Sequence, residues 1–346
     1  MTSASAISAQ VTDSAVSAAT PSLLTIGIDV GGTKIACVVT DSTDTVLLHE
    51  SVRTASQDLP TQLSQLIRRA VERFAGEHDQ SVVAVGVALP GHVDPDTGAV
   101  SLAVNLGGAA LALGPLLEKQ VGLPCYIEHD ARAAASWIEA AERVADAPLD
   151  LAYLSVGTGI SAGIVLDGRI FRGANGLAGE VGHMAGDPDG EACACGLIGC
   201  VETVAAGPAL ARMARAAIGA GRVTTLGVEP TATDVFRAAA MGDELARELA
   251  TTIAERLARA IRGLVLTLGV RYVVIGGGVA AAGDALLGPV LDAIGRERQM
   301  SPLIEAAFAR ARVELLPPHV EAGARGAAAI ARQRVIARHR EGVGER

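Results

Sequence analysis

The densest group of reactive side chains in this chain lies between Glu180 and Glu202. Three of the five cysteines fall close together there, with a histidine upstream. One imidazole and three thiolates make a complete tetrahedral ligand set for structural zinc. We therefore predict a zinc site formed by His183, Cys193, Cys195 and Cys200. The alternative is a glycine-rich loop in which the cysteines are only small apolar side chains.

A second candidate site begins at Asp29, where an apolar strand runs into two glycines. Glycines let a turn bring its backbone amides close to an anion, and a hydroxyl and an ammonium group follow them here. We predict that this turn binds phosphate groups, with Asp29 organising Mg²⁺ through water. The residues concerned are Asp29, Gly31, Gly32, Thr33 and Lys34. An ordinary hairpin is the alternative, because the spacing of a Walker loop is absent.

Two further glycine-rich turns follow apolar strands in the second half of the chain. The first resembles the turn after Asp29 in lying between two strands, so that the two hairpins could clamp a triphosphate. The second follows a buried strand, where bare backbone could lie against an adenosine; a helix entry without a ligand is the alternative. We predict nucleotide contacts at Gly157, Thr158 and Gly159, and at Gly276, Gly277 and Gly278.

A third candidate is the sequence Glu128-His129-Asp130, which ends one strand and opens a helix. A carboxylate at that junction lies at the ligand-binding end of an α/β sheet and near the positive end of a helix. Its alternative role is that of a helix N-cap.

Size and composition restrict the class of protein. A chain of 346 residues is long enough for two domains, and a hydrophobic content of 50% excludes general disorder. Aromatic residues are only 2% of the chain and the formal net charge is −9, so we expect no nucleic-acid partner. Nucleotides remain compatible, because backbone amides can hold them without a basic surface.

Residues 1–22 are rich in serine, alanine and threonine and contain no lysine or arginine, so we predict a disordered tail that is neither a secretory signal nor a transit peptide. Neither of the long apolar runs near Arg271 reaches the length of a membrane span. Cys37 and Cys125 stand alone and are predicted to be free thiols. We therefore expect a cytoplasmic protein without a membrane partner.

Periodicity predicts a strand meander followed by helices twice along the chain, which indicates a weak internal duplication. In the first half the strands are predicted at 24–29, 35–40, 45–51, 82–89 and 125–127, and the helices at 59–74 and 131–145. In the second half the strands are predicted at 151–156, 161–166, 169–172 and 271–275, and the helices at 245–268 and 322–339.

Taken together, these segments resemble the ROK family of repressors, open reading frames and sugar kinases, over residues 24–329. The resemblance rests on several short motifs, of which the last two are the most specific. They are Ile28–Lys34, Pro90–Asp94, Asn105-Leu106, His129–Ala134, Gly157–Ile160, Ile275–Gly278, Gly179–His183 and the run Cys-x-Cys-Gly-x-x-Gly-Cys-x-Glu at 193–202.

This resemblance implies an α/β fold of two actin-like (ribonuclease H-like) domains with an active-site cleft between them. The domains are expected at 23–133 and 134–324, with a zinc-binding loop at 183–200 and a terminal helix, about 325–342, that packs back on the N-terminal domain. The implied reaction is ATP-dependent, Mg²⁺-assisted phosphorylation of a hexose at its 6-hydroxyl, with glucose as the expected sugar. Family members are commonly homodimers, and we expect the same here.

The resemblance also implies roles for individual residues. Asp130 stands at the position of the catalytic base. Hydrogen bonds to the sugar are expected from Gly91, Asn105, His129, Asp130, Glu180, His183 and Glu202. His183 would both ligate zinc and face the sugar, so that zinc fixes the sugar-binding carboxylates in place and does not act on phosphate.

Two departures from the family pattern concern the sugar. His129 replaces the usual asparagine before the catalytic aspartate, and Asn105-Leu106 is followed by Gly107-Gly108 where proline and tryptophan are common. A neutral imidazole nitrogen donates or accepts a hydrogen bond, whereas an amide does both. An amino-hexose or N-acyl amino-hexose, such as 3-amino-3-deoxyglucose, N-acetylglucosamine or N-acetylmannosamine, is therefore the alternative substrate. A sugar-responsive repressor and a sugar-binding pseudoenzyme are the alternatives from other classes.

Overall fold

The computed structural model describes residues 22–55, 58–75, 80–101, 110–143 and 147–344. The chain divides into two compact units. The described part of the first unit comprises 22–143, 172–177 and 319–344, and the second comprises Ala147–Phe171 and Ala178–Pro318. Residues 1–21 of the predicted tail and the predicted sugar contact Asn105 lie outside the described residues.

The first unit contains a five-stranded sheet whose order is β3-β2-β1-β4-β8. The three N-terminal strands form an antiparallel meander, and β4 and β8 extend the sheet in parallel with β1. The strands are β1 (Ser22–Val30), β2 (Lys34–Thr40), β3 (Val46–Arg53), β4 (Gln80–Leu89) and β8 (Cys125–His129). A small three-stranded sheet lies in the same unit, formed by β5 (His92–Asp94), β6 (Ala99–Ser101) and β7 (Leu111–Ala112).

The helices of the first unit are α1 (Leu59–Phe74), α2 (Leu113–Val121), α3 (Asp130–Glu142) and the terminal helix α10 (Ala322–Gly344). The terminal helix approaches the sheet closely because glycines face it. A Cβ placed on Gly27 would lie 1.9 Å from the carbonyl oxygen of Ala324, and one on Gly86 would lie 1.9 Å from that of Ala327. Helix α10 also packs against α3. The expected domain boundary at residue 133 falls inside α3, which belongs as a whole to the first unit.

The second unit repeats the arrangement of the first sheet, with the strand order β11-β10-β9-β12-β13. Its strands are β9 (Leu151–Val156), β10 (Ile160–Leu166), β11 (Arg169–Ile170), β12 (Tyr272–Gly276) and β13 (Arg312–Leu315). Again the first three are antiparallel, and β12 and β13 run parallel to β9. This correspondence confirms the duplication that the sequence pattern indicated.

The helices of the second unit surround an aliphatic core. They are α4 (Val201–Ala205), α5 (Gly207–Gly219), α6 (Ala232–Ala240), α7 (Glu244–Leu268), α8 (Asp284–Met300) and α9 (Pro302–Phe308). The longest, α7, buries leucine, isoleucine and alanine at spacings of three and four, as its sequence predicted. Within the described residues, no helix is both long and apolar enough to cross a bilayer.

Candidate active site and metal centre

The first unit places three of the predicted site residues at one edge of its sheet. Strands β1, β4 and β8 are parallel, with Asp29 paired to Ala88 and Leu89 paired to His129 in the register. Their carboxyl ends therefore lead into the Asp29 turn, into Gly91 and into Asp130. This is the edge at which α/β sheets bind ligands, because the chain leaves the strands there and helices begin.

Asp130 is the first residue of helix α3, and His129 occupies the N-cap position. The Asp130 carboxylate accepts a hydrogen bond of 2.6 Å from the backbone amide of Ala131, and its side chain is 28% exposed. The Nδ1 atom of the buried His129 lies 3.3 Å from Asp130 Oδ1. An accessible carboxylate held by the first amide of a helix, with a histidine ring close by, is arranged to accept a proton from a bound hydroxyl group.

Asp29 carries the most perturbed carboxyl group of this edge. The pKa of Asp29 is raised from an ordinary 3.8 to about 7, mainly by burial and then by the negative charges of Asp130 and Glu321, while Lys34 opposes the shift. The Lys34 ammonium donates a 2.9 Å hydrogen bond to Glu321 Oε1. Three carboxyl groups with one ammonium group form a site that a divalent cation would stabilise, because its charge would relieve the repulsion between them.

The glycine turn after Asp29 is closed by backbone hydrogen bonds. The amide of Gly31 donates to the carbonyl oxygen of Lys34 at 2.9 Å, and the Thr54 hydroxyl donates to the carbonyl oxygen of Gly31 at 2.8 Å. Gly32 and Thr33 are exposed at the tip of the turn, and a Cβ on Gly32 would meet no atom within 4 Å. The turn thus presents backbone and hydroxyl groups in open space, as a phosphate-binding turn requires.

A buried ion cluster behind Asp130 was missed by the sequence analysis. Glu128 is 2% exposed, forms an ion pair with Arg172, lies 3.7 Å from the guanidinium of Arg132, and accepts a hydrogen bond from the backbone amide of His129. Arg132 donates in turn to the carbonyl oxygen of Gly176. These contacts fix the end of β8 immediately before Asp130, and they tie segment 172–177 to the first unit.

In the second unit the two glycine turns come together at the carboxyl ends of adjacent parallel strands. Gly157 follows β9 and Gly277 follows β12, and these two strands pair in register. A Cβ on Gly157 would lie 3.8 Å from the amide nitrogen of Gly278, and one on Gly277 would lie 2.5 Å from the Val156 carbonyl oxygen. Side chains are thus excluded at Gly277. Thr158, Gly277 and Gly278 are exposed, and Gly157 and Gly159 are half-buried beside them. Gly276, which was also predicted to contact the nucleotide, is buried at the end of β12, where a Cβ would lie 2.3 Å from the Tyr153 hydroxyl oxygen.

The four predicted metal ligands converge in the cysteine loop, residues 183–200. Their donor atoms all lie within 4.8 Å of one another. The Sγ atoms of Cys195 and Cys200 are 3.6 Å apart, and Cys193 Sγ is 3.6 Å from His183 Nδ1. Thiolates bound tetrahedrally at about 2.3 Å from zinc lie roughly 3.8 Å apart, so the geometry fits this metal.

The cysteine loop also positions the two predicted sugar-binding carboxylates. Glu202 Oε1 accepts a hydrogen bond of 3.1 Å from Cys193 Sγ and lies 3.8 Å from His183 Nδ1, while Glu180 Oε2 lies 4.0 Å from His183 Nε2. A Cβ on Gly159 would lie 2.8 Å from Glu202 Oε2. The histidine therefore stands between two carboxylates, one of which reaches the glycine turn.

Glycines fix the backbone on which these groups are carried. Gly179 has a φ of 104°, and its Cβ would lie 2.0 Å from the Ala162 carbonyl oxygen. Gly199 has a φ of 69°, and its Cβ would lie 1.5 Å from the carbonyl oxygen of Asp187. Both positions require glycine, since a side chain would have to displace backbone atoms.

Comparisons with known proteins agree in pointing to one family. The sequence profile of the ROK family matches residues 25–334. A glucokinase of Halalkalibacterium halodurans is 35% identical over 275 residues, which are 77% of this chain and 83% of that protein. An N-acetylmannosamine kinase of Salmonella typhimurium is 33% identical over 261 residues, covering 75% of this chain and 84% of that protein.

Similar solved structures include a ROK family glucokinase from Streptomyces griseus in complex with glucose and AMPPNP. The TM-score is 0.74 at 30% sequence identity, and the alignment covers 90% of this chain and 99% of that one. The alignment thus extends over nearly the whole length of both chains.

Proposed function

Because this chain belongs to the ROK family and has the actin-like α/β fold, we infer that it is an ATP-dependent sugar kinase. The observation that carries the proposal is the accessible carboxylate of Asp130 at the carboxyl end of β8, beside Asp29 and the glycine turn. Charged groups suited to phosphate and Mg²⁺ and a base suited to a hydroxyl group thus lie at one sheet edge.

The finer proposal is transfer to the 6-hydroxyl of a hexose, with glucose as the sugar. A glucokinase at 35% identity and a solved ROK glucokinase bound to glucose support this assignment. The N-acetylmannosamine kinases at 33% identity support an amino-sugar as the second candidate. His129, which stands where the family pattern has asparagine, is the residue of this chain on which the choice depends.

In the proposed reaction Asp130 accepts the proton of the sugar hydroxyl as its oxygen attacks the terminal phosphate of ATP. A base of this kind contributes about 10²–10⁴-fold to the rate. The Ala131 amide holds the Asp130 carboxylate in place beside the His129 ring, and the buried Glu128 anchors the strand that precedes it. Glu180, His183 and Glu202 bind sugar hydroxyls, and the Asn105 region is proposed to do the same.

The phosphate groups are held by this chain's turns. Gly31, Gly32 and Thr33 offer backbone and hydroxyl donors, and Lys34 offers an ammonium group whose present partner is Glu321. The backbone of residues 157–159, Gly277 and Gly278 receives the remainder of the nucleotide. Bound Mg²⁺ supplies positive charge that lowers repulsion between the phosphates and the carboxylates at this edge.

Zinc would be held by His183, Cys193, Cys195 and Cys200, and it would supply rigidity. Fixing the loop holds Glu202 beside Gly159 and keeps Glu180 next to His183. We propose no Lewis-acid role, since the ligand set is complete without an open position.

The test is ADP release with Mg·ATP over a panel of sugars: glucose, mannose, glucosamine, 3-amino-3-deoxyglucose, N-acetylglucosamine, N-acetylmannosamine and allose. Asp130→Asn serves as the blank. Turnover of glucose above all others would support a glucokinase, and preference for an amino-sugar would support the second candidate. Sugar binding without turnover anywhere in the panel would contradict the kinase proposal and favour a binding protein.

A further inference from the structure

The second unit contains a cavity of about 220 Å³ whose lining includes none of the proposed catalytic or substrate-binding residues. Its apolar wall is formed by Met184 near the start of the cysteine loop and by Val201 and Val204, which follow the loop. The facing wall is helix α7, which contributes three arginines at successive spacings of three residues. So high a density of positive charge in one cavity is unexpected in a chain with a net charge of −9.

The three guanidinium groups of the cavity, those of Arg256, Arg259 and Arg262, are only partly neutralised. Arg262 forms an ion pair of 2.6 Å with Glu297. Arg256 donates to the Val204 carbonyl oxygen at 2.8 Å and approaches a methionine sulfur, neither of which carries a charge. Arg259 is exposed and forms no ion pair or hydrogen bond within the described part of the chain.

The electrostatic surroundings of Arg256 also favour an anion. Burial lowers the pKa of the Arg256 guanidinium, the negative charge of Asp187 raises it, and the positive charges of Arg259 and Arg212 lower it by smaller amounts. Asp187 lies beyond ion-pair distance of Arg256 among the described residues. A half-buried cation without a carboxylate partner is costly, and an anion that entered the cavity would reduce this cost.

We propose that this cavity binds a phosphate group, either free or carried by a small phosphate monoester. Guanidinium groups bind phosphate through paired, charge-assisted hydrogen bonds, and each offers five N–H donors. Arg256 and Arg259 supply the charge, and the apolar wall formed by Met184, Val201 and Val204 accommodates a short carbon chain. The proposal is independent of the sugar-kinase assignment.

An occupied cavity would also restrain the cysteine loop. Met184 follows His183, and its carbonyl oxygen accepts a 3.0 Å hydrogen bond from the amide of Val201, which follows Cys200. Ala185 pairs with Cys200 in an isolated β-bridge. A phosphate group held between α7 and these two segments would therefore slow the opening of the loop and the release of zinc.

The experiment is isothermal titration of the zinc-loaded full-length protein, in a phosphate-free buffer, with inorganic phosphate and with glycerol 3-phosphate. Arg259→Ala removes a charge that is exposed and supports no contact in the fold. We expect it to weaken binding of both probes about tenfold or more. Arg247→Ala is the matched control, because Arg247 is exposed on the same helix and lies outside the cavity. The affinity of this variant for each probe should stay within about twofold of the wild-type value.

The second readout is the rate at which a chromogenic chelator removes zinc, with and without each probe. The proposed site is supported if the probes slow zinc removal from the wild type and from Arg247→Ala but not from Arg259→Ala. Tighter binding of glycerol 3-phosphate than of inorganic phosphate would support a monoester as the ligand, and equal binding would support free phosphate.

Three results would overturn the proposal. The first is an absence of binding by either probe. The second is loss of phosphate binding in Lys34→Ala together with unchanged binding in Arg259→Ala and in Arg256→Lys. That result would assign the anion to the glycine turn of the first unit. The third is a combination of two findings: Arg259→Ala keeps the wild-type affinity for phosphate, and it sediments as a monomer where the wild type sediments as an oligomer. The arginines would then contact a second copy of the chain.

Discussion

The two sheets of this protein have the same strand order and opposite chemical character at their strand ends. In the first unit, Asp29 and Asp130 stand at the carboxyl ends of β1 and β8, with Lys34 and Glu321 beside Asp29. In the second unit the corresponding turn, Gly157-Thr158-Gly159, has no ionisable side chain. One duplicated scaffold therefore carries a reactive, charged edge in one copy and a backbone surface in the other.

This difference shows how a duplicated sheet can divide the work of one reaction. A charged edge needs freedom to exchange protons and cations, so its groups are partly exposed or have displaced pKa values, as Asp29 does. A backbone surface needs a fixed shape, which the second unit obtains from glycines that accept no side chain and from a loop in which four potential metal ligands converge. Substitutions in one unit should therefore affect the groups of that unit and leave those of the other unchanged.

The largest effect is expected at Asp130, the proposed base of the charged edge. Asp130→Asn keeps the size of the side chain and removes its ability to accept a proton, so kcat should fall about 10²–10⁴-fold. Sugar binding, followed by calorimetry, should change little, because the amide still offers hydrogen bonds. The measurement is steady-state ADP release with the best sugar of the panel.

Asp96→Asn is the control for that experiment, because Asp96 is 82% exposed in the same unit. It should leave kcat near the wild-type value. If Asp130→Asn also turned over at a near-normal rate, the assignment of Asp130 as the base would fail, and the charged edge would have only a binding role.

The second largest effect is expected at the cysteine loop. Cys195→Ser removes one of four converging donors, so the protein should lose its stoichiometric zinc and several kcal/mol of local stability, since structural zinc contributes folding free energy. Hydrogen exchange should accelerate around the loop and α4 in the second unit, while β1, β4 and β8 of the first unit stay protected. Metal content by mass spectrometry and peptide-resolved exchange measure the two parts.

Cys125→Ser is the matched control, because Cys125 is a thiol of the first unit outside the cluster of donors. Its zinc content should equal that of the wild type. A Cys195→Ser protein that kept one zinc per chain, or a wild type that contained none and was fully active, would contradict a structural metal at this loop.

The comparison of the two units also separates what the sequence could predict from what it could not. Helix α1 was predicted with the bounds it has, because its apolar residues recur at helical spacing. The structure adds Asp58 as its N-cap. The strand meanders were recognised from glycine turns between short apolar runs. The metal-ligand set was readable because its four members lie within eighteen residues of sequence, where spacing alone restricts their geometry.

The contacts that shape the charged edge could not be read in this way. Glu321 reaches Lys34 across 287 positions of sequence, and Arg172 reaches Glu128 across 44. No local periodicity marks such pairs, because each depends on how distant elements pack. The same reason explains why α3 belongs to the first unit: its partner, the terminal helix, lies almost two hundred residues away in sequence.

A third effect concerns the displaced pKa of Asp29. Since the folded protein raises this pKa from 3.8 to about 7, the carboxyl group binds a proton in the folded state over a pH range where the unfolded chain has released it. The free energy of unfolding should therefore fall as the pH rises from about 4 to about 7. Asp29→Asn lacks this titration, so its stability relative to the wild type should increase over that range, by roughly 2–4 kcal/mol in all.

Urea denaturation at a series of pH values, without ATP or Mg²⁺, measures this difference. Asp96→Asn again provides the control, and its stability difference from the wild type should be small at each pH. Equal pH profiles for wild type and Asp29→Asn would mean that Asp29 is ionised throughout, and the charged edge would then lack the strain that we assign to it.

The smallest effect is expected at His129, a proposed sugar contact at the charged edge. Its imidazole is buried and its Nδ1 atom lies 3.3 Å from the Asp130 carboxylate, so it offers the sugar one hydrogen-bonding function at most on its other nitrogen. In His129→Asn the amide can donate and accept, as in the family pattern. We expect kcat/KM for glucose to rise about tenfold relative to that for amino-hexoses, which corresponds to one hydrogen bond. The ratio between sugars is its own control, because general damage to the fold lowers all sugars together. An unchanged ratio would remove His129 from specificity and would leave Glu180, His183 and Glu202 of the second unit to select the sugar.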